Sequence, residues 1–362
     1  MAKGMFIGVG SKARKVKKVF TGVSGKARKV KKAWIGVGGV ARLCFSGGEL
    51  TYYGVATALS AARGSLASAS NAAYAIFAGG AAFDYSAATD AYNSSLTRTI
   101  PAALSSAAAQ LAATSIGDYV LFGGGHNRNP ISTVNAYNLS LSKTNPTGLS
   151  VARTQLSAVS NGIYGIFAGY SDVVDAYSAS LTRVLPTPLS VGRRSLAATR
   201  IGGIAVFAGG IASSYSDVVD AYNSSLTRII PALLSEARFT SGATVNNTAL
   251  FAGGENSTGR LTVVDAYDVA LTRTTLLPLS VAKSAMGAAS VSDYALFGGG
   301  RSGKDYFNVV DVYDASLTRA VATTALSVAR VTYSTSINNY ALFGGGWTGS
   351  TYSNVVDVFQ VS

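Results

Sequence analysis

Apolar residues in this chain come in short runs, separated by polar or glycine-rich positions. Stretches such as YAIFAGG, YVLFGGG and VVDAY recur from end to end, and few segments carry a period of 3.6. Runs of that length, rich in aromatic and β-branched residues and bounded by Gly, Asn, Asp and Ser, predict strands rather than helices. The chain reads as all-β.

The runs also repeat at a fixed interval. An aromatic-small-Gly motif begins at Phe77, Phe122, Phe167, Phe207, Phe251, Phe297 and Phe343, with spacings of 45, 45, 40, 44, 46 and 46 residues. Each is followed by a run through Asp90, Asn135, Asp175, Asp220, Asp265, Asp311 or Asp357, with Tyr or Phe two residues later. Leu-Thr-Arg or a variant starts at Leu50, Leu96, Leu141, Leu181, Leu226, Leu271 and Leu317. A Leu-Ser pair precedes Arg63, Arg153, Arg193, Arg238, Lys283 and Arg330, and the copy at Ala108 has lost its charge.

Each unit is predicted to hold four strands: one after the basic residue, one into Phe-x-Gly, one through Asp-x-Tyr and one from Leu-Thr-Arg. Four strands in a period of about forty to fifty residues describe a propeller blade. Glycine after the Phe fits a positive φ or close approach to a neighbouring blade. The first Leu-Thr precedes any Asp-x-Tyr, and Asp357 has no Leu-Thr after it. The strand at about 50–58 is therefore expected to complete the last blade, giving seven blades and one domain over 49–362. The basic residue, glycine doublet, variable loop and strand ending in Tyr resemble the kelch family over about residues 50–362. That resemblance implies a seven-bladed kelch-like β-propeller closed by an N-terminal strand. Kelch repeats usually place Trp after the Tyr, and here Leu stands there instead, so no inherited partner follows.

Charge divides the chain differently. Of the net +13, residues 1–48 carry twelve Lys or Arg and no acid, while 49–362 hold eighteen basic and seventeen acidic side chains. The basic balance thus belongs to the arm. The arm repeats every fourteen residues: MFIGVGSKARKVKK, VFTGVSGKARKVKK, AWIGVGGVARLCFS. Gly10-Ser11, Ser24-Gly25 and Gly38-Gly39 suit two-residue hairpin turns, and a ribbon this narrow is marginal alone. Three uses compete: a solvated tail, nucleic-acid binding through phosphate neutralisation, or a docking and oligomerisation module. The regularity, and the scarcity of aromatics among the charges, favour the last. Lys12, Arg14, Lys15, Lys17, Lys18, Lys26, Arg28, Lys29, Lys31, Lys32 and Trp34 are its candidate anchor residues.

The two KARKVKK blocks and WIGVGGVARL resemble short repeats in virion structural proteins of tailed phages infecting gut Firmicutes. The likeness covers about fifty residues. It implies a tail fibre or other appendage, a homo-oligomer held to other virion proteins by the arm. The start of the chain lacks a signal-peptide apolar core, and no eighteen-residue apolar span exists for a membrane helix. A virion component would be made in the host cytoplasm and released by lysis.

The segments between the second and third strands vary most. Tyr85, Arg128, Tyr170, Tyr215, Arg260, Tyr306, Phe307, Trp347 and Tyr352 lie there and are the candidate ligand-binding residues. Aromatic faces beside amides and hydroxyls suit sugars, so a host surface glycan or protein is the expected partner. The competing reading is that these aromatics cap blade edges. The basic residues Arg63, Arg153, Arg193, Arg238, Lys283 and Arg330 should ring the central channel. They could grip an anion, but repetition with the scaffold favours a structural role. The Asp of each Asp-x-Tyr is likewise expected to satisfy turn amides rather than to transfer protons.

His126 and Cys44 are the sole residues of their types. A His-rich metal site and the usual Ser-His-Asp or Cys-His arrangements are therefore not available. A copper oxidase of kelch type would need a Cys in the propeller, and sialidase-type Ser-x-Asp-x-Gly-x-Thr-Trp repeats do not occur. No enzyme activity, cofactor or metal is expected. The sequence points to a non-enzymatic appendage or adhesin, the alternatives being a capsid decoration protein or a bacterial interaction scaffold.

Overall fold

The computed structural model describes residues 48–362 in full and, before them, the backbones of six strands from Phe6–Val9 to Val40–Ser46. The chain divides into two compact units, Met1–Thr51 with Gln360–Ser362, and Tyr52–Phe359.

The larger unit is a seven-bladed β-propeller of four-stranded antiparallel sheets, with no helix among the described residues. The first blade comprises Ala67–Ser70, Ala75–Ala78, Thr89–Tyr92 and Arg98–Thr99, with Phe77 opposite both Ser68 and Asp90. The seventh sheet runs Val331–Ile337, Tyr340–Trp347, Val356–Val361 and, outermost, Leu50–Ala56. There the Tyr52 hydroxyl donates to Asp357 at 2.7 Å.

Burial explains the runs. The second and third strands of a blade are covered on both faces by its neighbours, so YAIFAG-type segments are apolar throughout rather than alternating. Leu111, Val120, Phe122 and Tyr137 of the second blade pack on Ile76, Ala78 and Ala91 of the first. The same contact closes the ring, where Ile337, Leu342 and Val358 meet Leu66, Phe77 and Tyr92. In each blade the motif Phe meets the ring two residues beyond the Asp edge-on, as in Phe77–Tyr92 at 6.1 Å and 89°. Such pairs contribute about 0.5–1.5 kcal/mol beyond their buried area. Residues following the Phe stay small for the reason the pattern suggested: a Cβ at Gly344 would lie 2.9 Å from the Phe77 ring of the next blade.

One expectation is corrected. Leu of Leu-Thr-Arg does not begin the fourth strand in the first six blades. It sits in the preceding turn at φ near +60, as at Leu96 (58°) and Leu226 (61°), and the strand starts at the basic residue two positions on, Lys143 in the second blade and Arg in the others. Asn93 holds that turn by accepting the N–H groups of Ser95 at 2.9 Å and Thr97 at 3.0 Å on its side chain. A left-handed Leu is costly, and local side-chain capping of this kind compensates it.

In the arm, Phe6–Val9 pairs with Lys12–Lys15, Val19–Val23 with Lys26–Val30, and Lys32–Val37 with Val40–Ser46. The turn pairs Gly10-Ser11, Ser24-Gly25 and Gly38-Gly39, and the anchor candidates Lys17, Lys18 and Lys31, lie outside the described residues. Of the other anchor candidates only the backbone is described.

Candidate ligand-binding face

Three of the four sequence landmarks meet at one carboxylate, and the fourth, Phe-x-Gly, is tied to it through Arg63. In blade 1, Asp90 is fully buried and pairs with Arg63 at 2.8 Å. The N–H and hydroxyl of Ser60, from the Leu-Ser pair, donate to it at 2.9 and 3.1 Å. Arg98, from Leu-Thr-Arg, lies 3.7 Å away on the outer side. Tyr92 donates its hydroxyl to the Thr57 carbonyl at 2.6 Å, and burial pushes that phenol well above its usual range. Arg63 also donates to the Gly79 and Ala61 carbonyls. Blades 3 to 7 repeat the ion pair with Arg153–Asp175, Arg193–Asp220, Arg238–Asp265, Lys283–Asp311 and Arg330–Asp357. None of these cations exceeds 1% exposure, so none faces a ligand.

Blade 2 shows how tightly the pair is coupled. Ala108 and Asn135 replace both charges together, and the Asn135 amide oxygen still accepts the Ser105 N–H at 2.9 Å and hydroxyl at 2.8 Å. A lone buried charge would have been far costlier than losing the pair. In blade 6, burial pulls Lys283 below its usual range, opposed by Asp311. Burial would raise Asp265, but the hydrogen bond and charge of Arg238, with Arg273 and the Ser235 N–H, outweigh it and hold the carboxyl below its usual range.

The glycine doublets carry the chain from these sites to the variable segments. At Gly210, φ is 104° and a Cβ would fall 2.6 Å from the Arg194 carbonyl, so only glycine fits without displacement. Gly80 N–H bonds Ala108 and Ala81 pairs with Gly64, which puts the variable segments and the strand-four-to-one connections on one face. Blade 3 departs from this plan. A single residue, Tyr170, joins Tyr164–Gly169 to Ser171–Ser178, and it holds the second-glycine position at φ 72° with 47% exposure.

The nine candidates are distributed around the face rather than gathered. Tyr85 stands edge-on to His126 at 5.2 Å, and Arg128 is exposed at the tip of the small hairpin that His126 opens. Tyr215 stacks on Phe239 at 6.2 Å, and Arg260 pairs with Glu255 at 3.1 Å. Trp347 and Tyr352 are 4.7 Å apart, with Tyr352 beside Gly64 of the next blade; Tyr306 lies against Gly349, and Phe307 is half-buried. Most of these rings bridge neighbouring blades while keeping part of their surface open, so edge-capping and exposure coexist. Sequence reasoning passed over Phe239, Gln110 and Thr154, and treated His126 as an ordinary loop residue. Their placement depends on which blades adjoin, and no local motif marks it.

Inside the ring a cavity of about 320 Å³ is lined by Leu66, Leu196, Met286, Tyr333 and smaller residues of the inner strands, with no charged side chain. Three of its hydroxyls are engaged between blades: Ser68 donates to the Ser334 carbonyl at 2.9 Å, Ser241 to Met286 at 3.1 Å, and Ser157 to Leu196. The Tyr333 hydroxyl accepts the Ser65 N–H at 2.6 Å across the closing seam. Among the described residues no three His, Cys, Asp or Glu are grouped to hold a metal ion. Among the described residues no helix is long and apolar enough to cross a membrane. No protein-family model matches the chain, and no curated protein matches it.

Proposed function

We propose that this protein is a non-enzymatic adhesin of a phage virion, whose propeller binds a host surface glycan through its variable loop face. The observation that carries the reading is the contrast between frame and loops. The frame's charges are buried and matched to one another, whereas the loops expose aromatic rings and hydrogen-bonding groups that change from blade to blade. Faces of that composition suit ligands with C–H surfaces and hydroxyl groups. The arm's net charge of +12, eight of its basic residues lying on three antiparallel strand pairs, supports attachment to an acidic partner surface on the particle.

The test is adsorption of the full chain to a glycan array and to host cell-wall polysaccharide, with attachment of the arm measured on virions. Saturable glycan binding is the expected result. A chain that decorates particles but binds no glycan and no host cell would replace the adhesin with a capsid decoration protein.

A further inference from the structure

The corner between blades 1 and 2 has a defined hydrogen-bonding polarity. His126 Nδ1 is 3.1 Å from the Thr154 hydroxyl, and that hydroxyl is 3.3 Å from Gln110 Oε1. An amide oxygen only accepts, so where Thr154 gives its single hydroxyl proton to Gln110 it accepts from the imidazole. Nδ1 therefore carries the proton in the neutral ring, and Nε2 is left as an acceptor. No described residue donates to it.

Tyr85 completes the corner, its ring at 77° to the imidazole with centroids 5.2 Å apart. Both rings are half-buried. The charged groups on the surrounding elements are Asp84, whose carboxylate takes the Tyr85 N–H at 2.7 Å, Arg128 at the exposed tip, and Arg153, buried against Asp175. The neighbouring blade 3 has the one-residue connection at Tyr170, the shortest on this face.

From this we infer that the His126–Tyr85 corner is the saccharide subsite of the loop face, an inference that rests on the adhesin reading. Nε2 of neutral His126 accepts a hydroxyl proton from a neutral sugar, and the Tyr85 ring packs on its C–H face. A carboxylate or phosphate oxygen has no proton to offer Nε2 of the neutral ring, so the group the subsite engages there is a hydroxyl. Thr154 is a positioning residue that fixes the tautomer.

His126 is the only histidine, so a full chain labelled with ¹⁵N-histidine reports this ring without assignment. The probes are glucose, galactose, rhamnose, N-acetylglucosamine and N-acetylgalactosamine. The expected spectrum shows the Nδ1–H tautomer, with one or more sugars shifting Nε2 and leaving Nδ1–H in place. His126→Phe keeps the ring contact but removes the acceptor, and should weaken that sugar roughly five- to tenfold, the worth of one hydrogen bond. Thr154→Val should mix the tautomers and weaken binding less, while Lys304→Ala, on the distant blade 6 hairpin, should leave it unchanged. An Nε2–H tautomer overturns the subsite. So does glycan binding that survives both His126→Phe and Tyr85→Ala; that result leaves the adhesin standing with its ligand elsewhere on the face. If the array and all five sugars show no binding, adhesin and subsite fall together.

Discussion

In blade 4, Asp220→Asn removes the negative end of a fully buried ion pair while keeping its shape. Arg193 would retain its bonds to the carbonyls of Gly209 at 2.8 Å, Val191 at 3.0 Å, and Phe207 and Val218 at 3.3 Å. It would lose the carboxylate now 2.8 Å away, and nothing nearby replaces that charge. Stranding one buried ion of a pair costs about 3–5 kcal/mol. The double replacement Arg193→Met/Asp220→Asn removes both charges at similar volume, and blade 2 already lives with an uncharged counterpart in Ala108 and Asn135. As Asn135 does for Ser105, the new Asn accepts the Ser190 N–H that Asp220 accepts now at 3.0 Å. The double variant should therefore lie within about 1–2 kcal/mol of the parent; with each single variant stranding an ion at about 3–5 kcal/mol, the coupling is about 4 kcal/mol or more. Equilibrium urea unfolding of the full chain, followed by far-ultraviolet circular dichroism for parent, both single variants and the double, measures the cycle. Additive single effects, or an Asp220→Asn cost under about 1 kcal/mol, would refute the argument that these charges are held only by each other.

Three further outcomes can be measured in the same way. Lys283→Arg should stabilise by about 1 kcal/mol, because the five other charged blades carry Arg and four of these donate Nε to the first glycine of the doublet, a bond Lys cannot make. Tyr170→Gly should raise stability by about 0.5–1 kcal/mol, relief of the left-handed backbone exceeding the entropy cost of glycine; an unchanged or lower midpoint would mean that the ring is held by packing. The Asp265 carboxyl ionises more readily folded than unfolded, so its stabilising share is present above the unfolded value of about 3.9 and is lost as pH falls through the lower folded value. Asp265→Asn should accordingly flatten the acid limb of stability against pH.

Much of this architecture was legible in the residues themselves. Seven copies of Phe-x-Gly at near-constant spacing establish the blade count, because each blade must present the same apolar strand to two neighbours. The concentration of charge before residue 49 is equally local and is read without reference to any fold. Other features are set by which segments the ring brings side by side. Ser60, Arg63, Asp90 and Arg98 look like independent landmarks in the chain, yet they gather around the one buried carboxylate of Asp90. Leu96 has the composition of a strand residue but the φ of a turn, because Asn93 caps the backbone beside it. The corner of Tyr85, His126, Gln110 and Thr154 draws on three blades, and its polarity follows from a chain of hydrogen bonds between residues up to 44 positions apart. Periodicity reports what every blade must share; the contacts that differ between blades arise only when the sheets close around a common axis and place each loop against its neighbour.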